Sequence, residues 1–535
     1  MCDKMYDYII KGAEVIDGTG KDAFYTDIGI SQGKIATLGE ISDSQYPVIN
    51  AKGCVVTPGF IDMHSHSDLE LLRQKTPDAK VRQGITTELL GQDGLGVAPV
   101  SSKDIGLISD LTAGLLGQLP REKWTWNTFD EYCLELSRRK IPNNVAVLTS
   151  HGPIRIKVMG MDNRPANPQE LNHMRGLMRE TLEAGAFGLS TGLIYPPCSF
   201  STTEELVGLN KEVARRNGIF MVHQRDEGFH LRRSFAEVTD IASLSGVHLH
   251  ISHLQAFGKT NWWLMDEIIT RADAFIAKGG KLTWERYPYL AGCTVLTAVL
   301  PSWTFSSGTE ALVKSLRDES FRKAIHDEFT KGLDVWHNRS ISIGWQNIIV
   351  SAVNSAKNRW MEGRTCEDLA KVNNKNPIDF VCDLLAEENL AVTMINHYGS
   401  EDVLEKVLRH PNATVGTDGI FGGQPHPRLY GTFPRFIHEF VNTKKILTLT
   451  EAIRKITSFP AGILGLNRRG IIKEGYWADL VIFDPDSFVD TATYDNPCRY
   501  PNGIHFVFVN GQIVVDKNGL TKDLPGHVLT SGNPK

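Results

Sequence analysis

The segment TPGFIDMHSHSD sets His64 and His66 two residues apart, just past an apolar run that ends at Ile61. On a strand this spacing sends both side chains to one face, and two neighbouring imidazoles suit a divalent metal. A pair of unrelated histidines in a strand-end loop would leave the same short signature, so the spacing alone does not decide. Recurrence favours the metal. His223 ends the apolar run GIFMVH, His253 ends VHLHISH, and Asp418 ends NATVGTDG. Each stands where a strand hands over to its loop, and in a parallel α/β architecture those C-terminal ends converge on one mouth. His223 or His253 taken singly would as readily be a satisfied core histidine. His248 and His250 share the run of His253, with a parity that puts His253 on the opposite face unless the chain bends at Ser252.

These residues need a scaffold, and the pattern between about 59 and 466 supplies one. Short apolar runs such as NVAVLTS, GIFMVH, VHLHISH and NATVGTDG alternate with helix-like segments. One of these, PQELNHMRGLMRETLEAG, has a Pro-led start, apolar positions at helical spacing and a Gly stop. Such βα repetition predicts an α/β fold, a parallel sheet or a metal-dependent (β/α)8 TIM-like barrel. The stretch from about 296 to 345, rich in Trp, Ser and charge, is expected to be a mostly helical insertion near the barrel mouth. The flanks, 1–58 and 467–535, read as short strands, with Asn510-Gly511 a hairpin signal between two apolar runs.

Composition narrows the function. At 535 residues and 59.5 kDa the chain exceeds one ordinary core. Hydrophobic content of 41%, charged content of 22% and a mean hydropathy of −0.19 exclude a disordered chain, a collagen or a polytopic membrane protein. With 57 Lys+Arg against 62 Asp+Glu the net charge is −5, without the basic excess of nucleic-acid binding, so a small-molecule partner is expected. The eight cysteines are scattered without a CxxC, which suggests reduced thiols. No window approaches 18 uncharged apolar residues, and a cytoplasmic protein without membrane contact is expected. The P-loop and GxGxxG are both absent, leaving no foothold for a nucleotide cofactor.

The constellation and its surroundings resemble the amidohydrolase superfamily and, within it, the N-acyl-D-amino-acid deacylases (D-aminoacylases). The resemblance covers nearly the whole chain. It is carried by PGFIDMHSHSD, VRQGITTELLG, HGPIRIKVMG, GAFGLSTGLIYPP, VHQRDEG, ISHLQAFG, YPYLAG, HPRLYGTFPR, EGYWADLVIFDPD and VNGQIVV. It implies a (β/α)8 barrel with a small β-sandwich built from both chain ends. It also implies metal ligands at His64, His66, His223, His253 and Asp418, with Asp418 handling the proton of the attacking water. Zinc is the implied cofactor, as one or two divalent ions. The implied reaction is hydrolysis of a linear amide, most simply removal of the acyl group from an N-acyl-D-amino acid by metal-activated water.

Departures from the family pattern bear on metal and substrate. Asp93, in GQDG, stands where the family has a Cys ligand in GNCG. A carboxylate can replace the thiolate and would shift preference toward Mn2+ or Co2+, whereas an Asp-Gly pair is also an ordinary turn. The resemblance gives Tyr195 and Tyr287 substrate hydrogen bonds and gives Arg428 the α-carboxylate. Gln255 replaces the Lys that would add a second cation there, and Cys293 replaces a Ser lining the side-chain pocket. Losing a cation makes an acidic D-amino acid with two carboxylates less favoured and an amide lacking the α-carboxylate more credible. Hydrolysis of a cyclic amide, in the manner of hydantoinases, is the alternative, with Lys157 as the candidate for a bridging modified lysine. A metal-free scaffolding relative is a third reading, which retention of the five ligands opposes. His151, His397, His230 and His426 are candidates for pocket or loop roles, and a homo-oligomer is possible on sequence grounds.

Overall fold

The computed structural model describes residues 5–42, 45–73, 77–332 and 338–532. Eight parallel strands hold the centre: Phe60–Asp62 (β1), Ile85–Leu90 (β2), Asn144–Val147 continued by Thr149–Ser150 (β3), Gly188–Gly192 (β4), Ile219–His223 (β5), His248–Ile251 (β6), Leu282–Glu285 (β7) and Ala413–Thr414 (β8). Each pairs in parallel with the next in chain order. Past their ends, β8 returns to β1 through a parallel bridge between Ser65 and Gly419, and the Asp418 amide donates to the His64 carbonyl at 2.8 Å. Nearly every residue of these strands is buried, which is why they read as apolar runs and not as alternating ones.

Helices such as Pro168–Glu183, Thr203–Arg215, Leu231–Ser245 and Leu264–Ala277 follow the strands. The Pro-led segment is the helix Pro168–Glu183, started by a capping box between Asn167 and Glu170. Its Met174, Leu177, Met178 and Leu182 face the core, as the helical spacing requires.

The chain ends weave into one sheet. Its strand order is Gly519–Leu520, Gln512–Asp516, Ile504–Val509, Leu480–Phe483, Val55–Pro58, Tyr8–Val15, Phe24–Ser31 and Lys34–Leu38, with Val48–Asn50 also pairing with Tyr8–Val15. Asn510 and Gly511 form the hairpin between the second and third of these, both at positive φ (49° and 77°). Phe60 of β1 joins the two layers. Its ring stacks on Phe433 at 5.7 Å and meets Phe483 and Phe488 of the outer sheet region at 6.2 and 6.3 Å.

The stretch at 296–345 is helical over its described residues, with residues 333–337 lying outside them. The break in strand–helix alternation is nevertheless longer than composition signals. Ala291–Val295, Ile348–Val353 and Val392–His397 form a separate antiparallel sheet between β7 and β8. His397 therefore ends a strand of that sheet and not the seventh parallel strand, as chain order suggests. The seven described cysteines are all free, and Cys2 lies outside the described residues. Among the described residues no helix is long and apolar enough to cross a membrane.

One buried pair locks the first and last strands together. Asp62 Oδ1 accepts from the amides of His64 (3.2 Å) and Thr417 (2.7 Å), while Oδ2 accepts from Thr417 Oγ1 and Lys80 Nζ, both at 2.7 Å. Lys80 is itself buried. Replacing Lys80 with Met should leave Asp62 uncompensated, and breaking such a pair costs about 3–5 kcal/mol. The expected result is a lower urea midpoint for Lys80→Met than for wild type; an unchanged midpoint would show that Asp62 does not need its partner.

Candidate metal centre

The strand ends bring six residues to one buried point. His64, His66, Asp93 and Asp418 each offer a ligand atom, and these lie within 4.8 Å of one another; Asp93, His223 and His253 form a second such group. Asp93 belongs to both groups. Its Oδ2 lies 3.7 Å from Nε2 of both His64 and His66, and its Oδ1 lies 4.0 Å from His223 Nδ1. Asp418 Oδ1 approaches His66 Nε2 at 3.1 Å, and Oδ2 pairs with Arg428 Nη2 at 3.0 Å.

Three of these residues leave the usual backbone regions. Asp93, His253 and Asp418 have φ of 56°, 33° and 47°. Asp and His tolerate this region better than most L residues, and strained positions cluster at sites that need a side chain re-aimed. For His253 the turn at 252–253 answers the parity problem. β6 ends at Ile251, and the His253 ring lies 4.4 Å from that of His223 and 5.4 Å from that of His64. Asp93 is both a turn residue and a member of the cluster. Its loop is clamped by Asp68, whose carboxylate accepts from Gly91 N, and by Ser150 Oγ, which donates to Gly91 O. A Cβ on Gly94 would come within 2.8 Å of the Cys198 sulfur.

Two carboxylates that sequence reasoning missed orient the histidines. Glu285, at the end of β7, accepts from His64 Nδ1 at 2.8 Å, from the His253 amide at 2.7 Å and from His250 Nε2 at 3.1 Å. Glu227 lies 2.9 Å from His253 Nδ1 and 3.7 Å from His223 Nε2. A carboxylate behind a histidine fixes the tautomer and raises the basicity of the free nitrogen. Glu285 was findable as the polar end of the apolar run LTWE, and Glu227 as the residue four past His223.

Electrostatics keep the carboxylates and two of the imidazoles ready for a cation. At the other two, burial opposes charge, yet Asp418 and Asp93 raise His64 and Glu227 raises His253, favouring the protonated ring. Burial opposes ionisation of Asp93 and Asp418, yet neighbouring His64 for Asp93, and Arg428 with His64 for Asp418, hold both carboxyls below their usual range. Burial opposes ionisation of Glu285 too, but His250 and His64 bring it to about 2. Burial pushes His223 down to about 4 and lowers His66, so both are neutral near pH 7, the form that ligates. His64 Nε2, His66 Nδ1, Asp93 Oδ1 and both ring nitrogens of His223 are buried without a hydrogen-bond partner. Orphaned polar atoms of this kind are costly, and nitrogen and carboxylate oxygen converging here fit a divalent metal.

The expected substrate contacts surround the same point. Tyr195, Gln255, Tyr287 and Cys293 line a cavity of about 20 Å³ with Asp93, His223, His253 and Asp418, room for about one water. Tyr195 O–H pairs with Thr294 Oγ1 at 2.6 Å, and Tyr287 pairs with Tyr398 O–H at 2.5 Å. Gln255 Nε2 donates to Glu227 at 2.7 Å. Arg428 starts the helix Arg428–Ile437 fully buried, so it is no surface charge; Nη2 also donates to the Cys293 carbonyl at 2.9 Å, while Nε and Nη1 have no partner. Tyr398 and Arg339 also line the cavity, and nothing in the sequence pointed to either.

Other candidates lie elsewhere. His151 does not line the cavity; it is buried against Thr191 Oγ1 (3.0 Å) and Glu205 Oε1 (2.8 Å). His426 is buried, accepting from the Arg428 amide, and not solvated. His230 borders a separate outer groove. Lys157 sits on the helix His151–Met159 and does not line the cavity.

A sequence profile described as the amidohydrolase family matches residues 47–515. The chain belongs to that family. It is 32% identical over 533 residues to the N-acyl-D-aspartate deacylase of Alcaligenes xylosoxydans xylosoxydans, covering 98% of this chain and 95% of that one. An N-acyl-D-glutamate deacylase from Bordetella bronchiseptica, solved with zinc and a phosphonate that mimics the tetrahedral intermediate, superposes with a TM-score of 0.82 at 28% identity, covering 98% and 100% of the two chains. A solved D-aminoacylase described as having a binuclear metal centre gives 0.83 at 29%, with the same coverage.

Two outcomes follow, one for the centre and one for the buried histidine outside it. Asp93→Asn should lower bound metal measurably after zinc loading, read by elemental analysis; full stoichiometry would remove Asp93 from the ligand set. The second concerns His151. Burial opposes its charge, but the Cys198 sulfur and Glu205 outweigh this and raise it to about 9. A raised value stabilises the fold fully below the usual 6.5 and loses that contribution as pH rises through about 9. The wild-type urea midpoint should therefore fall across that window, and His151→Gln should flatten the fall.

Proposed function

We propose that this amidohydrolase removes the acyl group from an N-acyl-D-amino acid, using divalent metal held by His64, His66, Asp93, His223, His253 and Asp418. The observation that carries the reading is the convergence of these six side chains at one buried point, with Arg428 beside Asp418. Near full-length similarity to deacylases supports it. The residues fit zinc, and the carboxylate of Asp93 also admits the harder Mn2+ and Co2+.

A cation bound there lowers the pKa of water toward 7 and polarises the scissile carbonyl. The chain's own groups do the rest. Asp418, held ionised and oriented by Arg428 through Oδ2, has Oδ1 available to accept a proton from water and deliver it to the leaving nitrogen. Arg428 retains two donors without a hydrogen-bond partner, Nε and Nη1, and such charged N–H groups suit the α-carboxylate of the substrate. Tyr195 and Tyr287 have hydroxyls that can turn from their present partners to the amide. Cys293 lines the wall that receives the side chain, and Gln255 adds a neutral amide.

The scaffold belongs to the same reading. The ring of parallel pairings from β1 to β8 supports a (β/α)8 barrel over about 59–466, and the sheet of both chain ends supports a β-sandwich made of 1–58 and 467–535.

The deciding experiment strips the protein with a chelator, reloads it with Zn, Mn or Co, and assays paired D and L N-acetyl amino acids beside a hydantoin. Metal-dependent release of free amine from D substrates is expected. Asp418→Asn should lower the rate by about 10²–10⁴-fold, the usual worth of a general acid–base, while still binding metal. Ring opening of the hydantoin without amine release would overturn the deacylase reading in favour of a cyclic-amide hydrolase.

A further inference from the structure

The inner cavity is not the whole of the space near the metal centre. A groove of about 620 Å³ lies outside it, bordered among others by Arg225, His230, Arg233 and Glu237. Arg339 lines both the groove and the inner cavity, and no other described residue does. It comes from the stretch between β7 and β8, as the first residue of the short helix Arg339–Ile343. That helix is firmly seated. Asn338 is fully buried, and its side chain accepts from the Ile341 amide at 3.1 Å. Gly258, at φ 85°, comes so close that an added Cβ would lie 3.0 Å from the Ser342 carbonyl.

Among the described residues the guanidinium of Arg339 is a buried charge with one long ion pair. Its exposure is 3%, its ion-pair contact, with Glu227 Oε2, is a long 3.5 Å, and its other close neighbour is the face of Phe257 at 4.7 Å. Glu227 is better served elsewhere, by His253 at 2.9 Å and Gln255 at 2.7 Å. Arg225, by contrast, is saturated: Glu237 and the carbonyls of Ser199 and Ser201 take its donors. A fixed planar cation on the wall between a reaction cavity and an outer groove, with one long ion pair among the described residues, is arranged to receive an anion.

We propose that Arg339 determines specificity by binding a second carboxylate of the substrate, one that extends from the inner cavity toward the outer groove while Arg428 takes the first. This rests on the deacylase reading above and reverses the expectation, drawn from Gln255, that doubly acidic substrates are disfavoured. The second carboxylate belongs either to the amino-acid side chain or to the acyl group.

The test uses the zinc-loaded full chain and three probes: N-acetyl-D-alanine, N-acetyl-D-glutamate and N-succinyl-D-alanine. Wild type, Arg339→Gln and Arg339→Lys are compared in kcat/KM and, by calorimetry, in binding. Arg339→Gln should lower the preference for one dicarboxylate over N-acetyl-D-alanine by about 10- to 100-fold, mainly through KM, as expected for one charge-assisted contact. Arg339→Lys should recover part of it. The dicarboxylate affected identifies the side-chain or the acyl source. An unchanged preference ratio, or wild-type binding of both dicarboxylates no tighter than that of N-acetyl-D-alanine, would overturn the proposal. If nothing is hydrolysed but the binding preference depends on Arg339, the deacylase reading fails and the anion site stands.

Discussion

Everything at the metal centre depends on the carboxylate of Asp62, which gathers four donors from β1, from the segment after β8 and from Lys80. β1 and β8 are the first and last parallel strands, and without a tie they would be two edges. Asp62 makes them neighbours, so His64 and His66 on one side face Asp418 on the other. The main chain repeats the tie through the Asp418 amide and the His64 carbonyl. A carboxylate buried this deeply needs its full set of donors, and so the geometry of the site and the closure of the strands share one cause.

The site above that tie is a problem of surplus negative charge. Asp93, Asp418, Glu227 and Glu285 are all buried within reach of four imidazoles. Glu285 and Glu227 face the far nitrogens of His64 and His253, so the near side of the set is left to a cation. The histidines and carboxylates hold one another in register by contacts of 2.7–3.7 Å, and such pre-arrangement spares a metal most of the ordering its ligands would otherwise require. Arg428 then limits what Asp418 can do. One carboxylate oxygen is engaged by Arg428, and the other is turned to the imidazoles of His66 and His64.

Much of this was legible in the sequence because strand ends in a parallel fold announce themselves as apolar runs that stop on a polar residue. His223, His253 and Asp418 all stop such runs, and the structure gathers them with His64, His66 and Asp93. Glu285 follows the same rule and escaped because a glutamate after LTW is an unremarked residue, whereas a histidine draws the eye. Arg339 and Tyr398 were not legible. They reach the cavity from the region between β7 and β8, whose course depends on tertiary packing and on the separate sheet Ala291–Val295, Val392–His397 and Ile348–Val353. Composition suggested the helices of that region but could not show that its strands pair with one another, since antiparallel partners so far apart in sequence leave no local mark. His151, a candidate for the pocket, and His426, a candidate for a pocket or loop role, were placed by chain order, and burial against particular partners is a property of the whole fold.

The sheet shared by the two chain ends bears on how the molecule is made. Val55–Pro58 has Leu480–Phe483 as its antiparallel partner, and the Leu38 amide bonds to Glu474 across 436 residues. A ribosome emits the first of these strands long before the second exists. Until then the early strands expose an unpaired edge, the form of β-structure most prone to join a neighbour. Contacts of such sequence separation also form slowly, so the nascent protein must pass through a long interval in which its central strands can assemble while its flank waits. The architecture thus sets a demand on the cell and not only on the chain: synthesis fast enough, or chaperoning long enough, for the last seventh of the polypeptide to reach the first.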